Sequence, residues 1–176
     1  EVGAIEREMR SEKGYWSDVD ADGDPDLFVA TTRPQNPNLD DPSLINSNDV
    51  LAINNGGSLT LNFSTGISNN SRETFAGIWS DFNKDGLLDL DTRSEVDLLN
   101  NSPGGGLIYL QSEGLNFSLL PGVITANADM ATADLNNDGF LDLYGSLGII
   151  YQNNGDATFA EVSDAVNPSN FGFVRL

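Results

Sequence analysis

Asp18-Val19-Asp20-Ala21-Asp22-Gly23-Asp24-Pro25-Asp26 places a carboxylate at every odd position, with Gly23 sixth, between Asp22 and Asp24. The run recurs as Asp81-Phe82-Asn83-Lys84-Asp85-Gly86-Leu87-Leu88-Asp89 and as Asp134-Leu135-Asn136-Asn137-Asp138-Gly139-Phe140-Leu141-Asp142. In each copy oxygen-bearing side chains occupy positions 1, 3, 5 and 9. Alternate side chains of a tight loop point at one centre, and the glycine permits the sharp turn. That is the requirement of a hard, oxygen-seeking cation of calcium's size. The expected ligands are Asp18, Asp20, Asp22, Asp24 and Asp26; then Asp81, Asn83, Asp85, Leu87 and Asp89; then Asp134, Asn136, Asp138, Phe140 and Asp142. Leu87 and Phe140 would serve through the main-chain carbonyl at position 7. Such residues also build plain turns. Three copies in phase, crowded with carboxylates that repel one another, favour about three calcium ions.

An EF-hand loop starts in the same way but needs a bidentate carboxylate at position 12 and a helix on each side. Position 12 is Val29, Thr92 and Gly145. The flanks, Tyr15-Trp16-Ser17 before and Leu27-Phe28-Val29-Ala30 after the first loop, are short, β-prone and partly alternating. They read as the two strands of a hairpin. The glycine-rich nonapeptide of calcium β-rolls is excluded too, because its repeat is far shorter.

Further along each copy stand a third strand, a polar turn and a fourth strand. Ile150-Tyr151-Gln152-Asn153-Asn154-Gly155-Asp156-Ala157-Thr158-Phe159 shows them best, with Asn-Gly as the hairpin signal. The earlier copies give 51–56 with 59–61, and 108–114 with Phe117. Four strands and two hairpin turns per unit have the composition of a propeller blade. The expected fold is all-β, with about three blades of four antiparallel strands and the first strand of a fourth. The charged segment 1–13 fits a short exposed helix or a frayed strand. The repeat domain spans 14–176, in units of about 14–73, 74–126 and 127–170, and Phe171-Gly172-Phe173-Val174-Arg175-Leu176 opens a fourth. The connectors between strands two and three, about 31–49, 91–106 and 145–148, absorb most of the uneven spacing. In an up-and-down blade the acidic loops and Asn-Gly turns share one face. The long connectors decorate the other, where binding usually lives.

Eight basic against twenty-seven acidic residues give a net charge of −19. Nucleic acid and anionic membrane are poor partners for such a surface. No run reaches transmembrane length. The chain begins Glu1-Val2 without methionine, as a mature product or an excised piece would. It has no cysteine, so disulfides say nothing about its compartment. Sequons at Asn62, Asn69, Asn100 and Asn116 are about as many as chance supplies. No histidine or cysteine is present, which removes the usual general base and thiol nucleophile. Asp40, Asp41, Asp49, Glu95 and Asp97 read as solvated loop charges, and the chain is expected not to be an enzyme. Trp16 and Trp79 occupy matching first-strand positions, which favours packing between units over sugar stacking.

The three loops with Leu-Phe-Val-Ala, Leu-Asp-Leu and Leu-Asp-Leu-Tyr behind them resemble the FG-GAP/VCBS repeats of integrin-α-type propellers. The stretch 150–159 is similar to that family's second signature. The resemblance covers about 14–176. It implies calcium-braced blades in a secreted or cell-surface protein used for adhesion and recognition, with a protein or glycan ligand on the connector face. Such propellers usually close with about seven blades, and three cannot make a ring. Two alternatives stand beside this one: a head-to-tail filament of copies, and a non-catalytic part of a carbohydrate-active enzyme.

Overall fold

Apolar alternation on both sides of each acidic loop, broken by Asn-Gly and Glu-Gly turns, gives every repeat one antiparallel meander. The computed structural model describes residues 10–32, 49–62, 64–67, 74–94, 104–122, 130–145 and 148–162. The first sheet runs β1 (Arg10–Ser17), β2 (Asp26–Thr32), β3 (Val50–Asn54) and β4 (Leu59–Asn62). The second comprises β5 (Thr74–Ser80), β6 (Asp89–Ser94), β7 (Gly105–Ser112) and β8 (Asn116–Leu119). The third comprises β9 (Met130–Ala133), β10 (Asp142–Gly145), β11 (Ile150–Asn153) and β12 (Phe159–Glu161). The chain is therefore all-β in its described residues, with three four-stranded antiparallel sheets. β1 begins at Arg10, inside the charged segment and ahead of Gly14. The connector residues 33–48 and 95–103 and the terminal stretch 171–176 lie outside the described residues.

Register is the same in all three sheets where the loop closes. Ser17 pairs with Asp26, Ser80 with Asp89 and Ala133 with Asp142. Side chains alternate across each strand, and the second sheet uses both of its faces. Leu90, Leu107, Tyr109 and Phe117 pack with Phe28, Leu51 and Ile53 of the first sheet, and Val19 and Ile67 complete that core. Ile108, with Leu110 beside it, turns the other way and packs with Phe82, Leu143, Tyr151 and Ala157. The three sheets thus stack through two apolar seams.

Trp79 sits in the first seam, edge-on to Phe28 at 6.0 Å and tilted on Phe117 at 5.9 Å. This is the packing role its position suggests; its counterpart Trp16 is instead 58% exposed. The first strands of successive sheets lie side by side. The Tyr15 hydroxyl donates to the Phe75 carbonyl at 3.3 Å, and Ser80 and Thr132 bond through their hydroxyls at 3.3 Å.

Three buried charged residues were not foreseen as such. Asp49, expected as a solvated loop charge, is fully buried because two donors meet it. It accepts the Thr31 N–H at 3.0 Å and the Thr74 hydroxyl at 2.7 Å, which ties the first sheet to the start of the second. Asp91 and Arg93, both fully buried, form an ion pair at 2.7 Å on β6. Gly106 lies across from Arg93, and a Cβ there would fall 2.2 Å from the guanidinium. The missing side chain is what makes room for the cation.

Candidate metal-binding loops

Each acidic loop folds around its own carboxylates. The carboxylate at position 1 accepts the N–H of the glycine at position 6, at 3.0 Å for Asp18 and Asp81 and 2.8 Å for Asp134. Position 3 accepts the N–H of position 5, and position 5 accepts the N–H of position 7, which is Asp24, Leu87 or Phe140. To bring these groups together the backbone turns left-handed twice. Ala21, Lys84 and Asn137 at position 4 have φ of 60°, 60° and 63°, and the following glycines have 96°, 89° and 90°. A non-glycine residue there costs about 1–2 kcal/mol. All three loops accept that cost.

Position 9 has a second duty. Asp26, Asp89 and Asp142 are buried, and each spends both oxygens on backbone donors. One oxygen accepts the N–H of position 2: Val19 at 2.8 Å, Phe82 at 2.9 Å and Leu135 at 3.0 Å. The other accepts an N–H at the end of the third strand: Asn54 at 2.8 Å, Gln111 at 3.0 Å and Asn153 at 2.8 Å. Burial pushes the Asp89 carboxyl up to about 6, against the lowering effect of these two N–H groups.

The loops then diverge. In the first, one ligand oxygen each from Asp18, Asp20 and Asp22 come within 4.8 Å of one another. Burial first, then the charges of Asp26, Asp22 and Asp18, raise the Asp20 carboxyl, while the Asp22 N–H opposes them. Oδ1 of Asp18 is buried and accepts no hydrogen bond. A divalent cation bound by hard oxygens fits this trio, because it would satisfy the orphaned oxygen and the mutual repulsion together. Asp24 stands outside the trio, and its side chain accepts the Gly56 N–H at 2.9 Å from the β3–β4 turn.

In the second and third loops an asparagine stands at position 3, and its amide supplies a donor. Asn83 Nδ2 reaches Asp85 at 2.9 Å and Asn136 Nδ2 reaches Asp138 at 2.7 Å. Asp81 and Asp134 each have both oxygens engaged by backbone N–H groups. Lys84 bridges these two loops, with Nζ 4.2 Å from the centre of the Phe140 ring. The Phe140 N–H, the Asn136 amide and, less strongly, Lys84 hold the Asp138 carboxyl below its ordinary value. Neutral donors and one ammonium thus do in these loops part of what a metal would do in the first.

The side chains that join the loops to neighbouring sheets were not singled out from the sequence. Gln111 Nε2 donates to the Val19 carbonyl at 3.1 Å, and Asn153 Nδ2 donates to the Phe82 carbonyl at 2.9 Å. A period equal to the repeat, read near the end of the third strand at Asn54, Gln111 and Asn153, would have found them. Compared with known proteins, the chain matches no protein-family model and no curated protein.

Proposed function

We propose that this chain is a calcium-stabilised repeat module of the FG-GAP/VCBS kind, with its sheets as blades, and that it works outside the cell in adhesion or recognition. One observation carries the metal part: one oxygen each of Asp18, Asp20 and Asp22 lie within 4.8 Å of one another, in a loop whose left-handed backbone turns recur twice more. Asp18, Asp20 and Asp22 would hold the ion in the first loop. Asp81, Asn83 and Asp85, and Asp134, Asn136 and Asp138, would hold further ions. The ion would supply charge neutralisation and bracing, not chemistry on a substrate.

At ~1 mM calcium and a Kd of ~0.1 mM, each occupied loop adds about 1.4 kcal/mol to stability. The proposed location rests on the resemblance to extracellular modules, which commonly bind calcium at about that strength. The absence of histidine and cysteine supports a binding role over a catalytic one. Calorimetric titration with calcium and magnesium, together with melting curves in calcium and in chelator, tests the metal reading. A melting point that chelator leaves unmoved would refute it. Calcium-dependent retention of the labelled chain on glycan arrays and immobilised matrix proteins tests the recognition role; no retention on either would refute that part.

A further inference from the structure

At the loop end of the first seam lies a cavity of about 430 Å³, between the first acidic loop on one side and the second loop with the β7–β8 turn on the other. Its size is that of a small-ligand site. Leu87, Leu88 and Leu115 give it apolar walls, and Asp18 and Glu113 give it negative charge. Two of the lining residues carry a buried oxygen with no hydrogen-bond partner among the described residues: Oδ1 of Asp18 and Oε1 of Gln111.

Gln111 departs here from the rest of the repeat. It is 5% exposed, and its Nε2 is held by the Val19 carbonyl, which fixes the amide in place. The equivalent amides of the other sheets use their oxygens in their own turns. Oδ1 of Asn54 accepts the Gly57 N–H and Oδ1 of Asn153 accepts the Gly155 N–H, both at 2.9 Å. An unmet buried acceptor is costly, so the cavity calls for a donor.

The second seam shows which donor fits. Lys84, at position 4 of the second loop, crosses to the third loop, where its Nζ stands 4.2 Å from the centre of the Phe140 ring. A Cβ on Gly139 would fall 2.5 Å from that Nζ. In the first seam position 4 is Ala21, and the counterparts of Gly139 and Phe140 are Gly86 and Leu87; all three line the cavity. The cavity is thus where the second seam holds a lysine ammonium. The chain has one other lysine, Lys13, which belongs to β1 and does not line it.

We propose that this cavity binds a primary ammonium on an alkyl stem, supplied by a lysine side chain of another molecule or by a free alkylamine. The ammonium donates to Asp18 Oδ1 and Gln111 Oε1, and the stem lies along Leu87, Leu88 and Leu115. A net charge of −19 draws cations towards it. The site gives the recognition role a ligand class and does not rest on the metal reading. Calcium held by Asp18 would draw on the same oxygen, so calcium and the amine compete.

The test is isothermal titration calorimetry of the full chain in chelator, with n-butylammonium, Nα-acetyl-lysine methylamide and the Nε-acetylated form of the latter. The expected result is saturable one-to-one binding of an amine and none of the Nε-acetylated form, which keeps the stem and loses the charge. Equal affinity for both amines supports the site as one for free amines, and tighter binding of the lysine derivative supports it as one for peptide lysines. Ala21→Lys copies the second loop at a position with the same φ of 60° and fills the cavity from within. Glu113→Lys, at an exposed position on the cavity, opposes the ligand by charge. Each should weaken binding about tenfold or more, with melting curves verifying that both variants fold. No saturation with either amine, equal binding of the Nε-acetylated form, or affinity that both folded variants leave unchanged would overturn the proposal. Amine binding that saturating calcium leaves unchanged would overturn the assignment to Asp18. Amine binding in chelator with a melting point indifferent to calcium would sink the metal reading and leave this one standing; a melting point raised by calcium without amine binding would do the reverse.

Discussion

Replacing Asp20 by asparagine should change stability in opposite senses with and without calcium. The second and third loops already carry this residue, where Asn83 and Asn136 donate to the aspartate two positions on. In the first loop Asp20 instead faces Asp18 and Asp22 with ligand oxygens within 4.8 Å. Two unit charges at that distance repel by about 0.9 kcal/mol in water, and salt screening leaves about 1 kcal/mol for the two pairs together. Without metal, Asp20→Asn should therefore gain about 1 kcal/mol, or about 2–4 °C in melting temperature for a chain of this size. With saturating calcium the variant has lost a charged ligand, and each tenfold loss of affinity removes about 1.4 kcal/mol. The gain is then cancelled or reversed. Differential scanning calorimetry of both proteins in chelator and in millimolar calcium reads the difference directly. An equal shift in the two conditions would refute the argument, since the trio would then not be where the ion acts. Asn83→Asp, which adds a carboxylate to the second loop, should do the opposite.

Three further changes probe the frame around the loops. Asp142→Ala strips the acceptor from the Leu135 and Asn153 N–H groups, and urea unfolding should show a loss of about 3 kcal/mol. In Gly66→Ala the new Cβ falls 2.2 Å from the Phe117 carbonyl oxygen at a φ of +89°. It should cost well over the ~1 kcal/mol expected of Gly57→Ala, which has a similar φ and open space around it. Removing either Asp91 or Arg93 alone should cost about 3–5 kcal/mol, whereas Asp91→Leu with Arg93→Leu should be near neutral, a coupling that a double-mutant cycle measures. Burial raises the Asp91 carboxyl from 3.8 to about 6, against the pull of Arg93. Its contribution to the metal-free protein is thus full below about pH 3.8 and lost as pH rises through about 6, and the double leucine variant should flatten that slope.

How far the sequence could be read depended on whether a feature repeats. The four-strand units were legible because each hairpin is local: Val50–Asn54 and Leu59–Asn62 match the expected 51–56 and 59–61 closely. The acidic loops were legible because side-chain spacing in a tight turn is set by the chain itself. Asp49 was misread since the residues before it, Asn46-Ser47-Asn48, are polar, while the donors that bury it, Thr31 and Thr74, come from two other strands. Trp16 and Trp79 look alike in sequence and differ in exposure only because one has a sheet in front of it. The double duty of Asp26, Asp89 and Asp142 was hidden for a similar reason, as one of each pair of donors lies on the third strand.

That double duty decides where a bound ion would act. The residue at position 2 donates its N–H to the position-9 carboxylate, buries its side chain in the seam, and offers its carbonyl to the amide of the next sheet. For Val19 and Phe82 all three contacts meet in one residue that lies beside a position-1 aspartate. A cation held by positions 1, 3 and 5 therefore braces the joint between two sheets more than the strands of one. The ladder hydrogen bonds between strands of a meander do not pass through the loop, whereas the Val19–Gln111 and Phe82–Asn153 contacts do. Chelation should accordingly loosen the seams first, exposing Trp79 and the faces of Phe28 and Phe117 while the strand ladders persist. Hydrogen exchange that opened the ladders and the seams together would place the ion's effect inside the sheets instead.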